Sequence, residues 1–473
     1  MIDFNRRKKA FALLFFSLLV LSACHSIPDQ NYHRICTPTD NEQNCIPKEK
    51  FVKRNGECGR PGMAADANGC TPMGVAAEGW ISGKKNEMGC ENAREWEQEN
   101  YEIATLEYQT EEGKEVKKFQ QQQLDAILDN IENSNKPIYL VIFIHGWHHN
   151  AMDTDRNLTL FNNLLARRRY ELDQMNKKHK VLGVYIGWQG ENINGFLSNF
   201  TIGSRARAAN RLGESKEFSD DLKKLEDAIN AKNEDSRMLI VGHSLGGRVA
   251  SRYMLKHISD PENPTWAPLG EHALVVTINP AIGSDAFDNV MKNRAKESDK
   301  LPSWINITSR DDTATGLIFS FSSYLNFYLS FAEGITDGYL GGSHHYAIGH
   351  YNKYITHNIK ITSEDNNTKS GGKYGPLSAQ YRKTDWYKIN SCADTKTSYA
   401  HYFIEGNTSN LYEIKFSKNK NNVSDNEFPI RFLNISTDKD VIGSESEDDI
   451  KSNHNFYIQT IADRLLDELV FDK

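Results

Sequence analysis

Apolar and polar positions follow two different periods along the chain after residue 100. Short apolar runs rich in β-branched residues predict buried strands, and stretches with an apolar residue at every third or fourth position predict amphipathic helices. The predicted central strands are KPIYLVIFI, VLGVYIGW, RMLIVGH, HALVVTINPA and SWINITS. Helical stretches such as SDDLKKLEDAINA lie between them. This alternation predicts an α/β fold in which helices cover both faces of a mostly parallel sheet.

The pattern is less regular before and after this central part. YEIATLEYQTEEGKEVKKFQ predicts a hairpin that turns near Glu112 and Gly113, and QQLDAILDNIENS predicts the helix before the first central strand. Near the C-terminus, FPIRFLNISTD predicts a last strand. A polar loop and an amphipathic closing helix, DDIKSNHNFYIQTIADRLLDELVF, are predicted after it.

An insertion at about residues 316–427 is expected before that last strand. Its first part, GLIFSFSSYLNFYLSFAEG, is apolar and aromatic with glycine at both ends, which is typical of a lid or acyl-binding wall and equally of a core helix. The stretch from about Lys360 to Asn426 is polar and contains short alternating runs, which predict a small β-rich excursion with long loops.

A candidate nucleophile lies between one predicted strand and the next predicted helix. Gly242-His243-Ser244-Leu245-Gly246 is a G-x-S-x-G sequence, preceded by RMLIV and followed by GRVASRYMLKHI. Such a turn holds its serine in strained backbone, with the hydroxyl at the top of the sheet. The pattern also occurs in ordinary strand-to-helix turns, so its position after a buried strand is what favours a nucleophile.

A serine nucleophile needs an oxyanion hole, and the loop after KPIYLVIFI offers one. We expect the backbone amides of Leu245 and Trp147 to face the same point, because Gly146 lets the chain turn there. The loop also contains His145, His148 and His149. A metal cluster is the alternative interpretation, but no nearby carboxylate or cysteine has zinc spacing, and we interpret the histidines as loop scaffolding.

These motifs resemble the α/β-hydrolase superfamily of serine esterases and lipases, and more narrowly a group of bacterial hydrolases with an FxHGWxHNA loop. The resemblance is carried by Phe143–Ala151, Tyr185–Gly190 (YIGWQG), Ser204–Gly213 (SRARAANRLG) and the G-x-S-x-G turn. It implies an α/β-hydrolase fold and a carboxylesterase or lipase that acts on ester or lipid-like substrates through a Ser-His-Asp triad and an acyl-enzyme. No metal or cofactor is expected. An amide or peptide hydrolase with the same triad and a non-catalytic binding lipoprotein are the alternatives.

The acid of the triad is expected just beyond the strand in PSWINITSRDDTATG, where hydrolases of this superfamily place it. Asp311 and Asp312 are adjacent there, and they point in different directions from an extended backbone, so only one can serve. Asp312 is the preferred acid because the following DTAT resembles the family's D-x-A pattern. Asp311 remains the alternative, and an Asx turn would account for either residue.

The histidine is expected after the acid in chain order, and two regions compete for it. His454 lies between the predicted last strand and the closing helix, where superfamily members hold the general base, and it is our choice. His350 is the second candidate and His357 the third, both in SHHYAIGHYNKYITH. The remaining downstream histidines are His344, His345 and His401.

The N-terminus has the anatomy of an export signal. Basic residues precede AFALLFFSLLVLSAC, an apolar stretch too short to span a bilayer comfortably. Leu21–Cys24 resembles the bacterial lipobox, which implies that residues 1–23 are a signal peptide and that lipidated Cys24 anchors the protein to a membrane. The residue directly after this cysteine is His25 and not an aspartate, so the outer membrane of the cell envelope is the expected location. An uncleaved signal anchor is the alternative.

Composition limits the remaining possibilities. The 473 residues are sufficient for one large domain at about 101–473 after an N-terminal extension at 24–100. The net charge is −7 and the basic residues after the first ten positions form no stripe, so a nucleic-acid partner is not expected. Six cysteines remain after Cys24, and an even number in an exported chain favours disulfides over a zinc knuckle. They are Cys36, Cys45, Cys58, Cys70, Cys90 and Cys392.

Overall fold

The computed structural model describes the regions that form the central sheet and most of its helices. The described residues are 32–36, 45–54, 63–66, 69–72, 101–108, 114–155, 176–190, 202–293, 302–312, 315, 346–363, 399–404, 411–418, 431–437, 470–471 and scattered positions between 157 and 172.

Eleven of the described strands form one sheet, in the order β1-β4-β6-β5-β7-β8-β9-β13-β10-β12-β11. The eight neighbouring strands from β4 to β10 in that order run parallel, and antiparallel strands lie at both edges. The strands of the sheet are β1 (Lys53–Arg54), β4 (Tyr101–Tyr108), β5 (Ile138–Ile144), β6 (Lys180–Trp188), β7 (Arg237–His243), β8 (Ala273–Ile278), β9 (Trp304–Ser309), β10 (His357–Ser363), β11 (Tyr399–Ile404), β12 (Leu411–Lys418) and β13 (Phe432–Thr437). A separate hairpin pairs β2 (Met63–Asp66) with β3 (Gly69–Pro72).

Helices follow most of the parallel strands, and the arrangement is that of the α/β-hydrolase fold. The described helices are α1 (Lys48–Phe51), α2 (Lys114–Glu132), α3 (Ile202–Glu214), α4 (Lys216–Lys232), α5 (Leu245–Ile258) and α6 (Asp288–Asn293). Every residue of β5 and β8 is buried, because helices cover both faces of a parallel sheet. The continuous apolar runs in the sequence have this physical cause.

Close packing brings α3 against α5, the helix that follows the G-x-S-x-G turn. A Cβ atom at Gly213 would lie 2.4 Å from the backbone oxygen of Val249. The two helices therefore approach each other at a distance that only glycine permits. This contact fixes the position of α5 relative to α3.

The hairpin predicted near Glu112 and Gly113 is wrong. β4 ends at Tyr108, and Lys114–Glu132 forms α2. Leu124, Ile127 and Ile131 of this helix are buried at helical spacing, so the apolar face of α2 stabilises the helix against the sheet. Of the two strands predicted for the hairpin, only the first is found among the described residues, and it is β4.

The polar region around Lys360–Asn426 contributes strands to the main sheet. β10 pairs with β13 in parallel and with β12 in antiparallel orientation, and β11 completes this edge. The strand predicted from FPIRFLNISTD is β13, which lies between β9 and β10. The chain therefore forms the strands β10, β11 and β12 at the edge first, and then returns with β13 to a position inside the sheet.

A short N-terminal segment is held against β4. The backbone N–H groups of Tyr32 and His33 both donate to the buried carboxylate of Glu107, at 2.8 Å each. Cys36 and Cys45 form a disulfide, as the cysteine count favoured. Within the described ranges, no helix combines the length and apolarity needed to cross a membrane. The proposed signal sequence and Cys24 lie outside those ranges.

Candidate active site

Ser244 occupies a strained turn between β7 and α5. Its φ of 54° and ψ of −117° are unusual for a residue with a side chain, and neighbouring contacts hold them. The Ser244 N–H donates to the Ile278 oxygen, and its own oxygen accepts from Ala281 N–H and Arg248 N–H, each at 3.0 Å. The residue is 6% exposed at the start of a helix. This backbone geometry is the one that presents a serine hydroxyl above a sheet.

The lack of space around the turn explains why glycines flank Ser244. A Cβ atom at Gly246 would lie 2.1 Å from the backbone oxygen of Ile144, and one at Gly242 would lie 2.6 Å from the oxygen of Gly246. The first turn of α5 therefore packs directly on the end of β5. This close approach brings the N-terminus of α5 next to the loop that follows β5.

The loop after β5 lies against Ser244. A Cβ atom at Gly146 would lie 3.2 Å from the Cβ atom of Ser244. The loop is therefore adjacent to Ser244, as an oxyanion loop must be. Trp147 follows in this loop and Leu245 begins α5, so the two predicted oxyanion residues flank the point where Gly146 meets Ser244.

His145 fixes the backbone of this loop from below. Its Nε2 accepts from Trp188 N–H at 3.2 Å, so the ring proton is on Nδ1, which donates to the Gly146 oxygen at 2.8 Å. Trp188 Nε1–H also donates to the His145 oxygen at 2.8 Å. Complete burial lowers the pKa of His145 to about 4, which keeps the ring neutral. A neutral imidazole can hold both partners at once.

The other two histidines of the loop contact its remaining backbone and a carboxylate. His148 has a φ of 70°, and its N–H donates to the Gly190 oxygen at 3.0 Å. His149 Nδ1 lies 3.1 Å from Asp155, which also accepts from the N–H groups of Asn150 and Asn157. Burial alone would raise the pKa of Asp155, but the interaction with His149 and the hydrogen bond from Asn150 N–H outweigh burial and lower it. The side-chain contacts of His145 and His149 agree with the predicted scaffolding role. In the regions that the structure describes, no group of three or more histidine, cysteine or acidic side chains is arranged to bind a metal ion.

Asp312 and His350 meet at the end of β9 through a threonine that sequence reasoning missed. Asp312 is 1% exposed, whereas Asp311 is exposed. The Thr315 hydroxyl donates to Asp312 Oδ2, and the Thr315 N–H donates to Oδ1 at 3.2 Å. His350 Nε2 lies 3.0 Å from the same hydroxyl oxygen. A hydroxyl that donates to the carboxylate can accept from the imidazole, so Thr315 links the two groups.

Backbone hydrogen bonds connect the His350 segment to the loop that also binds Ser244. Ile348 N–H donates to the Ile282 oxygen at 3.0 Å, and Ser284 N–H donates to the Tyr346 oxygen at 2.9 Å. Ala281, the residue before Ile282, donates to the Ser244 oxygen. The loop of residues 279–284 therefore has Ser244 on one side and the His350 turn on the other.

The other histidine candidates have different positions. His357 is 2% exposed at the start of β10, and its Nδ1 lies 3.0 Å from Thr356 Oγ1, within the sheet. His454 lies outside the described residues, so its place relative to Ser244 stays a prediction. Among the described groups, the carboxyl edge of the sheet holds Ser244, Asp312 and His350 together with the predicted oxyanion loop.

Residues 155–321 match the family model of class 3 lipases. The matched segment contains Ser244 and Asp312 and ends before His350 and His454. It supports a hydrolase of the lipase or esterase type. A comparison with curated proteins finds no match.

Proposed function

We propose that the protein is a membrane-anchored serine hydrolase that cleaves carboxylic esters, with Ser244 as its nucleophile. The observation that carries the proposal is the strained Ser244 backbone lying directly against the Gly146 loop at the carboxyl edge of the sheet. An ordinary strand-to-helix turn needs neither feature. The similarity of residues 155–321 to class 3 lipases points to the same ester chemistry.

We assign the general base to His350, oriented through Thr315 by Asp312. The support is the 3.0 Å contact of His350 with Thr315, the burial of Asp312, and the shared loop of residues 279–284. The chain order Ser, Asp, His is that of α/β-hydrolases. His454 is the competing base, and the same order fits it.

In this mechanism His350 accepts the proton of the Ser244 hydroxyl while Oγ attacks the ester carbonyl carbon. The amides of Leu245 and Trp147 stabilise the oxyanion, assisted by the positive end of the α5 dipole. His350 then donates its proton to the departing alcohol. A water molecule, deprotonated by the same imidazole, hydrolyses the acyl-enzyme and restores Ser244.

Substitution of the nucleophile tests the proposal. Ser244→Ala should lower the hydrolysis rate of p-nitrophenyl esters by about 10⁴-fold or more, because no other hydroxyl replaces the attacking oxygen. Labelling by a fluorophosphonate probe should disappear as well. Ser251→Ala is the matched control, since Ser251 is a fully buried serine of α5 two turns away. It should keep both signals.

An unchanged rate and unchanged labelling in Ser244→Ala would show that the turn is not the nucleophile. Absence of labelling in the folded wild type would favour a non-catalytic binding protein. Faster cleavage of p-nitroanilides than of esters would favour an amide or peptide hydrolase.

We propose further that lipidated Cys24 holds the enzyme on the bacterial cell envelope, at the outer membrane, with residues 1–23 removed. The lipobox-like sequence before Cys24 supports this. Cys24→Ser should give a precursor that keeps its signal sequence and incorporates no palmitate analogue, because the acyl acceptor is missing. Equal incorporation in the variant and the wild type would exclude Cys24 as the lipid site.

A further inference from the structure

A row of polar side chains crosses the sheet beneath the candidate base. Thr277 of β8, Asn306 of β9 and Asn434 of β13 are in register, and each is fully buried. The Thr277 hydroxyl donates to Asn306 Oδ1 at 3.1 Å, and Asn306 Nδ2–H donates to Asn434 Oδ1 at 2.6 Å. We call these three residues the polar ladder.

The ladder ends on the turn that contains His350. The Nδ2 group of Asn434 donates to the Ile348 oxygen at 3.1 Å and to the Tyr354 oxygen at 3.0 Å. These two carbonyls lie on either side of His350 in the sequence. The Asn434 side chain therefore holds both ends of a turn that is 80 or more residues away along the chain.

A second contact holds the same turn from β9. A Cβ atom at Gly349 would lie 1.9 Å from Thr308 Oγ1 and 2.1 Å from Thr308 Cβ. The backbone next to His350 therefore rests directly on the sheet. The turn has no room to move toward β9, and Asn434 prevents it from moving away.

The hydrogen bonds of Asn434 distinguish it from a residue that only fills space. An apolar side chain of similar size could fill the site, but the Ile348 oxygen, the Tyr354 oxygen and the Asn306 amide would each lose the hydrogen bond that Asn434 makes. A buried amide with all its bonds formed fixes one arrangement of the groups it joins. The groups joined here are the sheet and the His350 turn.

We propose that Asn434 is a positioning residue for His350: through Ile348 and Tyr354 it holds the imidazole in place for proton transfer with Ser244. The inference rests on the proposed function, specifically on His350 as the base. A displacement of about 1 Å in such a group can reduce a rate by roughly 100-fold. The orientation set by Asn434 therefore acts on kcat more than on substrate binding.

A double-mutant cycle tests this positioning role. Asn434→Ala should lower kcat for a p-nitrophenyl ester by roughly 10-fold to 100-fold, with KM within about twofold of the wild type. Combined with His350→Ala, the change should cost little more than His350→Ala alone, because Asn434 acts through a group that is already absent. Thr277→Val is the matched control at the other end of the ladder, and its effect on kcat should be small in both backgrounds.

Gly349→Ala displaces the same turn without removing a ladder bond, so it covers the case in which Asn434→Ala fails to fold. It should also lower kcat, and the loss should again vanish in the His350→Ala background. The proposal is overturned if a folded Asn434→Ala or Gly349→Ala variant keeps the wild-type kcat, or if its loss is equally large without His350. Full activity of His350→Ala would instead reject His350 as the base, and loss of labelling in Ser244→Ala would still identify the serine hydrolase.

Discussion

The nucleophile side and the base side of the candidate site are held by different kinds of interaction. Ser244 and the Gly146 loop are positioned by backbone contacts at the ends of β5 and β7, which are neighbours in the sheet. Asp312 and His350 are positioned by side-chain hydrogen bonds through Thr315 and Asn434. Close approach at glycines dominates on the nucleophile side, whereas the base side combines the close approach of Gly349 with polar side chains that bond to each other across the sheet.

This difference has a consequence for how each side responds to substitution. Backbone geometry at the Ser244 turn is over-determined, because hydrogen bonds from Ala281 and Arg248 and the packing of Gly246 all constrain it. The base side depends on a few side chains, each of which is replaceable. We therefore expect conservative changes to damage the base side selectively while the nucleophile stays in place.

Among the tests of this comparison, the largest loss of kcat is expected from substitution of the proposed acid, Asp312. Asp312→Asn should lower kcat by about 10³-fold to 10⁴-fold, because the amide can no longer stabilise the charged imidazolium. Asp311→Asn is the matched control at the adjacent, exposed position, and it should retain nearly the wild-type rate. Steady-state kinetics on the same ester measures both, and circular dichroism verifies the fold of each variant.

The opposite ranking of the two aspartates would assign the acid to Asp311. Equal and small effects would mean that the base works without a carboxylate partner, and the base side as described would then be wrong. Labelling of Ser244 by a fluorophosphonate should still be possible at a reduced rate in Asp312→Asn, because the nucleophile side does not depend on this carboxylate.

Sequence patterns predict the nucleophile side because its signals are local. The apolar runs of β5 and β7 and the glycines around Ser244 and Gly146 occur within a few residues of the groups they position. The alternation of strands and helices likewise predicts a mostly parallel sheet covered by helices, and the resemblance of the motifs to α/β-hydrolases implies that superfamily's fold. The hairpin error near Glu112 arose because KEVKKFQ was assigned to a strand, whereas it forms the first two turns of α2, whose later part was predicted as a helix from QQLDAILDNIENS.

The base side was harder to predict because its contacts are distant in the chain. Asn306 and Asn434 are 128 residues apart and bond to each other only because β13 returns between β9 and β10. No local pattern marks Asn434 as a partner of the His350 turn, and Thr315 resembles any polar loop residue. The spacing of three between Asp312 and Thr315 was the one usable signal, since such pairs often form local side-chain hydrogen bonds.

A smaller effect is expected from His145, which tests the nucleophile side. His145→Phe keeps a ring that can stack on Tyr185 and Trp188 but removes the bonds to the Gly146 oxygen and the Trp188 N–H. The oxyanion loop should lose its fixed orientation, and kcat should fall by roughly 10-fold to 100-fold. The Asp312 and His350 side should be unaffected, so the pH dependence of kcat should keep its shape.

The same variant should also change how stability depends on pH. The pKa of His145 is about 4 in the folded protein because of burial, and the usual value is 6.5, so the unfolded chain binds a proton that the folded protein does not. Stability should therefore fall by about 3 kcal/mol as the pH drops from 6.5 to 4, and this part of the decline should be missing in His145→Phe.

His33 is a control of opposite sign. Burial lowers its pKa, but the bonds to Asp153 and Glu107 outweigh burial and raise it. Its contribution to stability is therefore present below pH 6.5 and is lost at higher pH. Urea unfolding at several pH values measures both, and an unchanged slope in His145→Phe would show that His145 is not held neutral beneath the oxyanion loop.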